Sequence, residues 1–176
     1  MKQSTVRLTG CLALSLALAA GVTQANQEIG PITLDDLTRN ALVIVEGSVE
    51  STSAAWNADR TQIHTTVRLK PDAFYKGDDG SAIVEIELLG GVVGEDGLAI
   101  IGQPEFRIGE RVMVFLRADW KSNDLPVVQM QHGKFTIGTK APGAEVLVNA
   151  AGESYAKSDV IAAIRLMNSA GTGGRP

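Results

Sequence analysis

The side chains that could do chemistry are few. The chain has two histidines, His64 and His132, and one cysteine, Cys11. A zinc or general-base site needs a histidine with carboxylates or further ligands at a fixed spacing. No HExxH and no histidine pair at helical spacing is present. A serine nucleophile on a G-x-S-x-G elbow is also missing. The acidic pair Glu95-Asp96 sits in the glycine-rich stretch GGVVGEDG, Gly90 to Gly97. That stretch lacks the GK[ST] ending of a phosphate loop and the G-x-G-x-x-G of a dinucleotide site. Two adjacent carboxylates also fall short of the alternating oxygen ligands of a calcium loop. It is expected to be a hairpin corner, with Asp96-Gly97 as the turn pair. No catalytic residue, metal site or cofactor is expected. Trp56 and Trp120 lie beside polar segments, where an exposed tryptophan anchors a partner and a buried one plugs a barrel end. The candidate binding residues are therefore Trp56, His64, Trp120 and His132, with His64 expected to face solvent.

The elements that must position these residues begin after a leader. Lys2 and Arg7 precede an apolar run from Leu8 to Gly21, and Thr23 and Ala25 are small residues at the −3 and −1 positions of a cleavage site. Residues 1–25 read as a secretory signal peptide. LTGC (8–11) has the form of a lipobox, but its apolar core follows Cys11, whereas a working lipobox ends the core. Cleavage after Ala25 leaves 151 of the 176 residues and removes the only cysteine. Two of the 16 basic residues leave with it, so 14 face 20 acidic ones and the formal charge is −6. Such a surface repels nucleic acid and anionic lipid. With 5% aromatic residues, stacking platforms for single-stranded nucleic acid are scarce as well. No stretch of the remaining chain reaches the roughly 18 apolar residues of a membrane span. The expected address is the periplasm or the extracellular space.

Residues 26–168 read as one domain and 169–176 as a flexible tail. TLDDLTRNA opens with Thr33 as N-cap and Asp36 three residues on, a capping box. LVIVEGSVES is a β-branched strand with Gly47 marking a bend, and STSAAWNADR a polar loop. QIHTTVRLKPDAFYKG alternates apolar and polar residues until Pro71 interrupts it, and SAIVEIELL alternates again. LAII is expected to be a short strand, with Phe106 and Ile108 as inward anchors after it. RVMVFLRA is the most apolar run and the expected central strand. VVQMQHGKFTIG reads as a bent strand broken at Gly133, and EVLV as a last strand. KSDVIAAIRLMN has a helical stripe of Val160, Ile161, Ile164 and Met167 behind Ser158 as N-cap. Many short strands with turn clusters between them predict a mainly β protein: a small antiparallel OB-like barrel with a short N-terminal helix and a C-terminal helix.

The stretch from ALVIVEGSVES to HGKF resembles a family of exported bacterial proteins of uncharacterised function. The resemblance lies in LVIVEGSV, in Lys76-Gly77 closing the second strand, and in a GG…G…G-x-P-x-F-x-x-G-E block. That block is Gly90-Gly91, Gly94, Gly102, Pro104, Phe106, Gly109 and Glu110, followed by VMVFL and GKF. Such domains resemble the OB-type barrel of tissue inhibitors of metalloproteinases and netrin modules. The resemblance implies a barrel. It does not carry the inhibitors' mechanism, which places a mature N-terminal cysteine on the protease zinc. The expectation is a non-enzymatic exported module for a protein or peptide, with an exported or envelope protein, such as a protease, as partner. The alternative is a periplasmic small-molecule or metal-binding protein.

Overall fold

The computed structural model describes residues 31–77, 80–122, 124–141 and 143–172. The expected leader, with Cys11, and the last four residues of the expected tail lie outside the described residues. Helix α1 (Leu34–Asn40) starts where its cap predicts. Thr33 Oγ1 accepts from the Asp36 amide at 3.1 Å, and the Asp36 carboxylate accepts from the Thr33 amide at 3.1 Å. Reciprocal pairing satisfies two amide donors that the first helical turn would leave unbonded. Asp35 and Asp36 lie in the first turn and Arg39 in the last, which suits the helix dipole.

A long hairpin follows, β1 (Val43–Trp56) and β2 (Ile63–Lys76). The segment expected as a polar loop from Ser51 is strand as far as Trp56. Trp56 pairs with Ile63 and Ala55 with His64, so β2 holds in register a run whose own composition is loop-like. The turn is closed by Asn57, whose Oδ1 accepts from the Thr61 amide at 2.8 Å and the Gln62 amide at 3.1 Å. Register shifts at Ile44/Val45, Glu46/Gly47 and Val49/Ser51 bend the pair. Gly47 and Pro71 face each other at one of these bulges. A Cβ on Gly47 would collide with the Lys70 carbonyl oxygen and stand 3.0 Å from Pro71 Cα. Pro71 is tolerated because β3 pairs with β2 only from His64 to Leu69.

The remaining elements are β3 (Val84–Leu89), β4 (Gly91–Val93), β5 (Asp96–Leu98), β6 (Arg111–Leu116), a 3-10 turn (Met130–His132), β7 (Lys134–Ala141), β8 (Ala144–Asn149), β9 (Ser154–Ala156) and helix α2 (Lys157–Thr172). Seven strands form one antiparallel sheet in the order β3-β2-β1-β6-β7-β8-β9, curled into a half-barrel, and β4-β5 is a separate hairpin. The expected central strand, RVMVFLRA, is the fourth of the seven. Val112, Val114 and Leu116 join one core with Val45, Val67, Leu69, Ile86 and Leu88. Met113 and Phe115 join a second core with Phe135, Leu147, Val160 and Ile164, beneath the helices. Burial on both faces is why that strand has no polar alternation. Phe135 stacks edge-to-face on Phe115 at 5.8 Å and on Tyr155 at 5.9 Å between ring centres.

Three further boundaries differ from expectation. The bent strand across Gly133 is a bridge at Val127, a 3-10 turn and then β7, because Gln129 and Met130 take φ of +50° and +52° and loop out between Val128 and Gly133, which both bond to Phe115. Helix α2 begins at Lys157, so Ser158 lies inside it and its hydroxyl donates to Asp159 Oδ1 at 3.1 Å. The helix also continues past Asn168, whose side-chain amide donates to the Tyr75 carbonyl at 2.9 Å. Among the described residues no helix is long and apolar enough to cross a membrane.

Candidate functional site

The glycine-rich stretch forms one wall of a groove. Gly90 and Gly91 have φ of +105° and +138°, conformations that favour glycine, and turn the chain off β3 into the β4-β5 hairpin. The Thr65 hydroxyl donates to the Gly90 carbonyl at 2.6 Å, and a Cβ on Gly91 would strike that hydroxyl. The hairpin turn itself is Gly94-Glu95, not Asp96-Gly97. Gly94 takes φ +65°, whereas Gly97 lies in β5 with room for a side chain. The motif is thus a corner made of two glycine devices, one at the strand exit and one at the tip.

The opposite wall is the segment 99–107, and the floor is formed by Thr65, Val67 and Leu88. The groove encloses about 390 Å³. Three large apolar side chains stand in solvent on neighbouring positions: Val92 at 70% exposure, Ile101 at 97% and Ile108, one residue past the wall segment, at 68%. Ile108 was expected to point inward with Phe106. Phe106 does pack on the core, but Ile108 occupies a tight turn before Gly109, φ +81°, which carries it outward. Ile101 was expected in a strand and lies in a turn. Gln103 lines the groove, and among the described residues its buried Oε1 has no hydrogen-bond partner.

Beside the groove, the two ends of the resemblance block meet. Lys134 Nζ, from GKF, donates to Glu110 Oε1 at 2.6 Å and lies 5.4 Å from the centre of the Phe106 ring. Thr136 also donates to Glu110, whose other oxygen accepts from the Arg107 amide at 3.1 Å. Burial pushes the Glu110 carboxyl up, but the hydrogen bonds from Lys134, Thr136 and Arg107 outweigh it and hold the group below the usual carboxylate range. Gly109-Glu110 is therefore more than the turn its sequence suggests: it fixes segment 105–110 against β7.

A second polar cluster lies at the start of α2. Glu46 accepts from the Tyr75 hydroxyl at 2.7 Å, Arg111 Nη2 at 2.8 Å and Lys157 Nζ at 2.7 Å. Glu145 takes the other donors of the same two cations, at 2.6 Å each. Burial raises Glu46, yet its hydrogen bonds and the two positive charges leave it below its ordinary value. Burial, and then the Glu46 carboxylate, raise Tyr75. All four charges are balanced, so the cluster pins the helix to the sheet.

The expected binding residues do not converge on the groove. Trp120 is 6% exposed and belongs to the core. Trp56 is half-buried at the end of β1. His132 Nδ1 lies 3.2 Å from Glu153 Oε2, which also accepts from Asn149. His64 is not solvent-facing as expected: its side chain is 16% exposed, and among the described residues neither ring nitrogen finds a hydrogen bond of good geometry. Its Nδ1 lies 2.8 Å from Glu87 Oε1 and 4.0 Å from Asp124 Oδ1. The loop that docks Asp124 against the end of β3 covers it, and strand alternation could not reveal that loop. Among the described residues no three His, Cys, Asp or Glu side chains gather as a metal site would require.

No family model, curated protein or solved structure matches this chain.

Proposed function

We propose that the chain is an exported, non-enzymatic module whose groove between the β4-β5 hairpin and segment 99–107 holds part of a protein or peptide partner. An exported or envelope protein, such as a protease, is the class of partner meant. The observation that carries this reading is the apolar set Val92, Ile101 and Ile108. All three stand largely in solvent next in the chain to residues that line the groove: Val92 follows Gly91, Ile101 follows Ile100 and Ile108 follows Arg107. Scattered surface apolar residues need no explanation, whereas a group set beside a groove points to an interaction site. The side chains that hold this feature are themselves held: Glu110 and Lys134 fix one wall, and the Thr65 hydroxyl fixes the other. A rigid frame with apolar contacts at its rim loses little freedom on binding.

The test is capture from the envelope fraction with the parent protein and with a variant carrying V92S, I101S and I108S. The parent should retain a defined partner and the variant should lose it, with circular dichroism unchanged between the two. Identical capture by both would remove the groove from the function. A rise in Tm with added Zn²⁺ would instead favour the metal-binding alternative.

A further inference from the structure

We propose that the outer edge of β3 is a docking edge for an extended, basic segment of a partner protein, which adds to the sheet as an eighth strand. This rests on the reading of the chain as a protein-binding module and specifies how the partner is held. β3 is an end strand of the seven-stranded sheet. The Gly90 amide donates back to the Ile63 carbonyl at 2.6 Å, so the backbone groups of Gly90, Leu88 and Ile86 turn toward β2. The Leu89 amide points the other way and donates to the Asp124 carbonyl at 3.1 Å. Backbone groups alternate along a strand, so the amides and carbonyls of Glu85 and Glu87 point outward with Leu89. Among the described residues they have no partner there. Asp124 thus supplies the first rung of an added strand, and the rungs at Glu87 and Glu85 are open.

The chemistry of the edge selects the occupant. Val84, Ile86 and Leu88 are buried and hold β3 in place, while Glu85 and Glu87 are exposed. With Asp124 they set three carboxylates along the edge, against the guanidinium of Arg68 on Glu85 and the imidazole of His64 by Glu87 and Asp124. A second copy of the chain fits badly, because β3 against β3 brings glutamates together, and like charges across a strand pair are destabilising. The same carboxylates attract a strand with Lys or Arg at alternate positions. Acids on an edge also guard it against indiscriminate pairing. A basic partner turns that guard into a selection rule. Leu88 and Leu89 at the end of this strand also line the groove, so the edge adjoins it. β-strand addition of this kind draws affinity from main-chain bonds and specificity from alternate side chains.

Hydrogen exchange at single-residue resolution tests this on the whole chain. The probes are an eight-residue peptide alternating Lys and Val, its Glu/Val counterpart, and a Lys/Val peptide N-methylated at alternate residues on its pairing side. The Lys/Val peptide should slow exchange of the Glu85 and Glu87 amides about tenfold or more, leave the already bonded Leu89 amide unchanged, and weaken with salt. The Glu/Val and N-methylated peptides should give no protection. An E85K/E87K variant should prefer the Glu/Val peptide; if that variant does not fold, E85Q/E87Q should lose selectivity between the two. Equal binding by the N-methylated peptide would mean charge attraction without strand addition and would overturn the proposal. Protection that grows with protein concentration alone would assign the edge to a second copy. If the Val92, Ile101 and Ile108 variant loses its partner while that partner leaves Glu85 and Glu87 exchange untouched, the edge fails and the groove stands. If neither responds, both fail.

Discussion

Replacing Glu46 with Gln tests whether the buried charge cluster holds α2 to the sheet. The Glu46 side chain is 4% exposed and accepts three hydrogen bonds, two of them from cations. Removing one partner of a buried pair costs about 3–5 kcal/mol, because the other charge is left uncompensated. Three features lower that figure here. Gln keeps the volume and one acceptor, Arg111 is 43% exposed and partly solvated, and Glu145 still contacts both cations. The expected loss is therefore about 2–3 kcal/mol at pH 7, enough to lower Tm by roughly 4–12 °C in a domain of this size. Replacing Glu46 by Leu and Lys157 by Met together removes one charge of each sign and leaves the Arg111–Glu145 pair intact. That double variant should lose less than E46Q, although Tyr75 loses its acceptor. The pH dependence gives a second reading. The Glu46 carboxyl is depressed, so its contribution is full above the ordinary glutamate value of 4.5 and is lost as pH falls through the folded value. The parent should lose stability on that acid side, and E46Q should show a shallower loss. Urea melts at pH 7 and pH 4 measure all of this. A cost below about 0.5 kcal/mol for E46Q, within the range of ordinary surface changes, would refute the pinning argument. So would a double variant whose cost equals the sum of the two single changes.

Gly47→Ala should destabilise by about 1–3 kcal/mol, since its Cβ meets backbone atoms of Lys70 and Pro71 that cannot swing aside; urea melts check it. Gly94→Val should cost about 1–3 kcal/mol at φ +65°. Gly97→Val should cost less than about 0.5 kcal/mol, because β5 is extended there and the nearest contact is an ordinary 3.7 Å to Val92. The reverse ranking would place the turn at Gly97 after all. Glu110→Gln should lower stability at pH 7 and flatten the loss on acidification, because the depressed carboxyl contributes above its ordinary value of 4.5 and not below the folded one. An unchanged acid limb would mean that Lys134 holds nothing in place.

Much of the fold was legible because short-range physics wrote it into the sequence. The Thr33/Asp36 cap, the alternation of Val84, Ile86 and Leu88, the doubly apolar β6 and the stripe of α2 each reflect burial at a period fixed by local geometry. Gly47 and Pro71 announced a bend for the same reason, since their backbone limits are intrinsic. Other features had no local signature. Residues 51–56 read as loop, yet pairing with β2 makes them strand. Ile108 and Ile101 read as core and strand, but tight turns put them in solvent. His64 read as exposed, and a distant loop covers it. The groove rim, the meeting of Glu110 with Lys134 and the contact of Glu46 with Lys157 depend on which strands lie side by side. Side chains 24 and 111 residues apart carry no mutual spacing signal in a single sequence. The sequence by itself determined the mainly β class, the capped first helix, the central strand and the stripe of the last helix. Only the tertiary structure decided which polar groups were buried together and which apolar ones stayed wet, because burial is a property of neighbours brought by topology and not of any one residue.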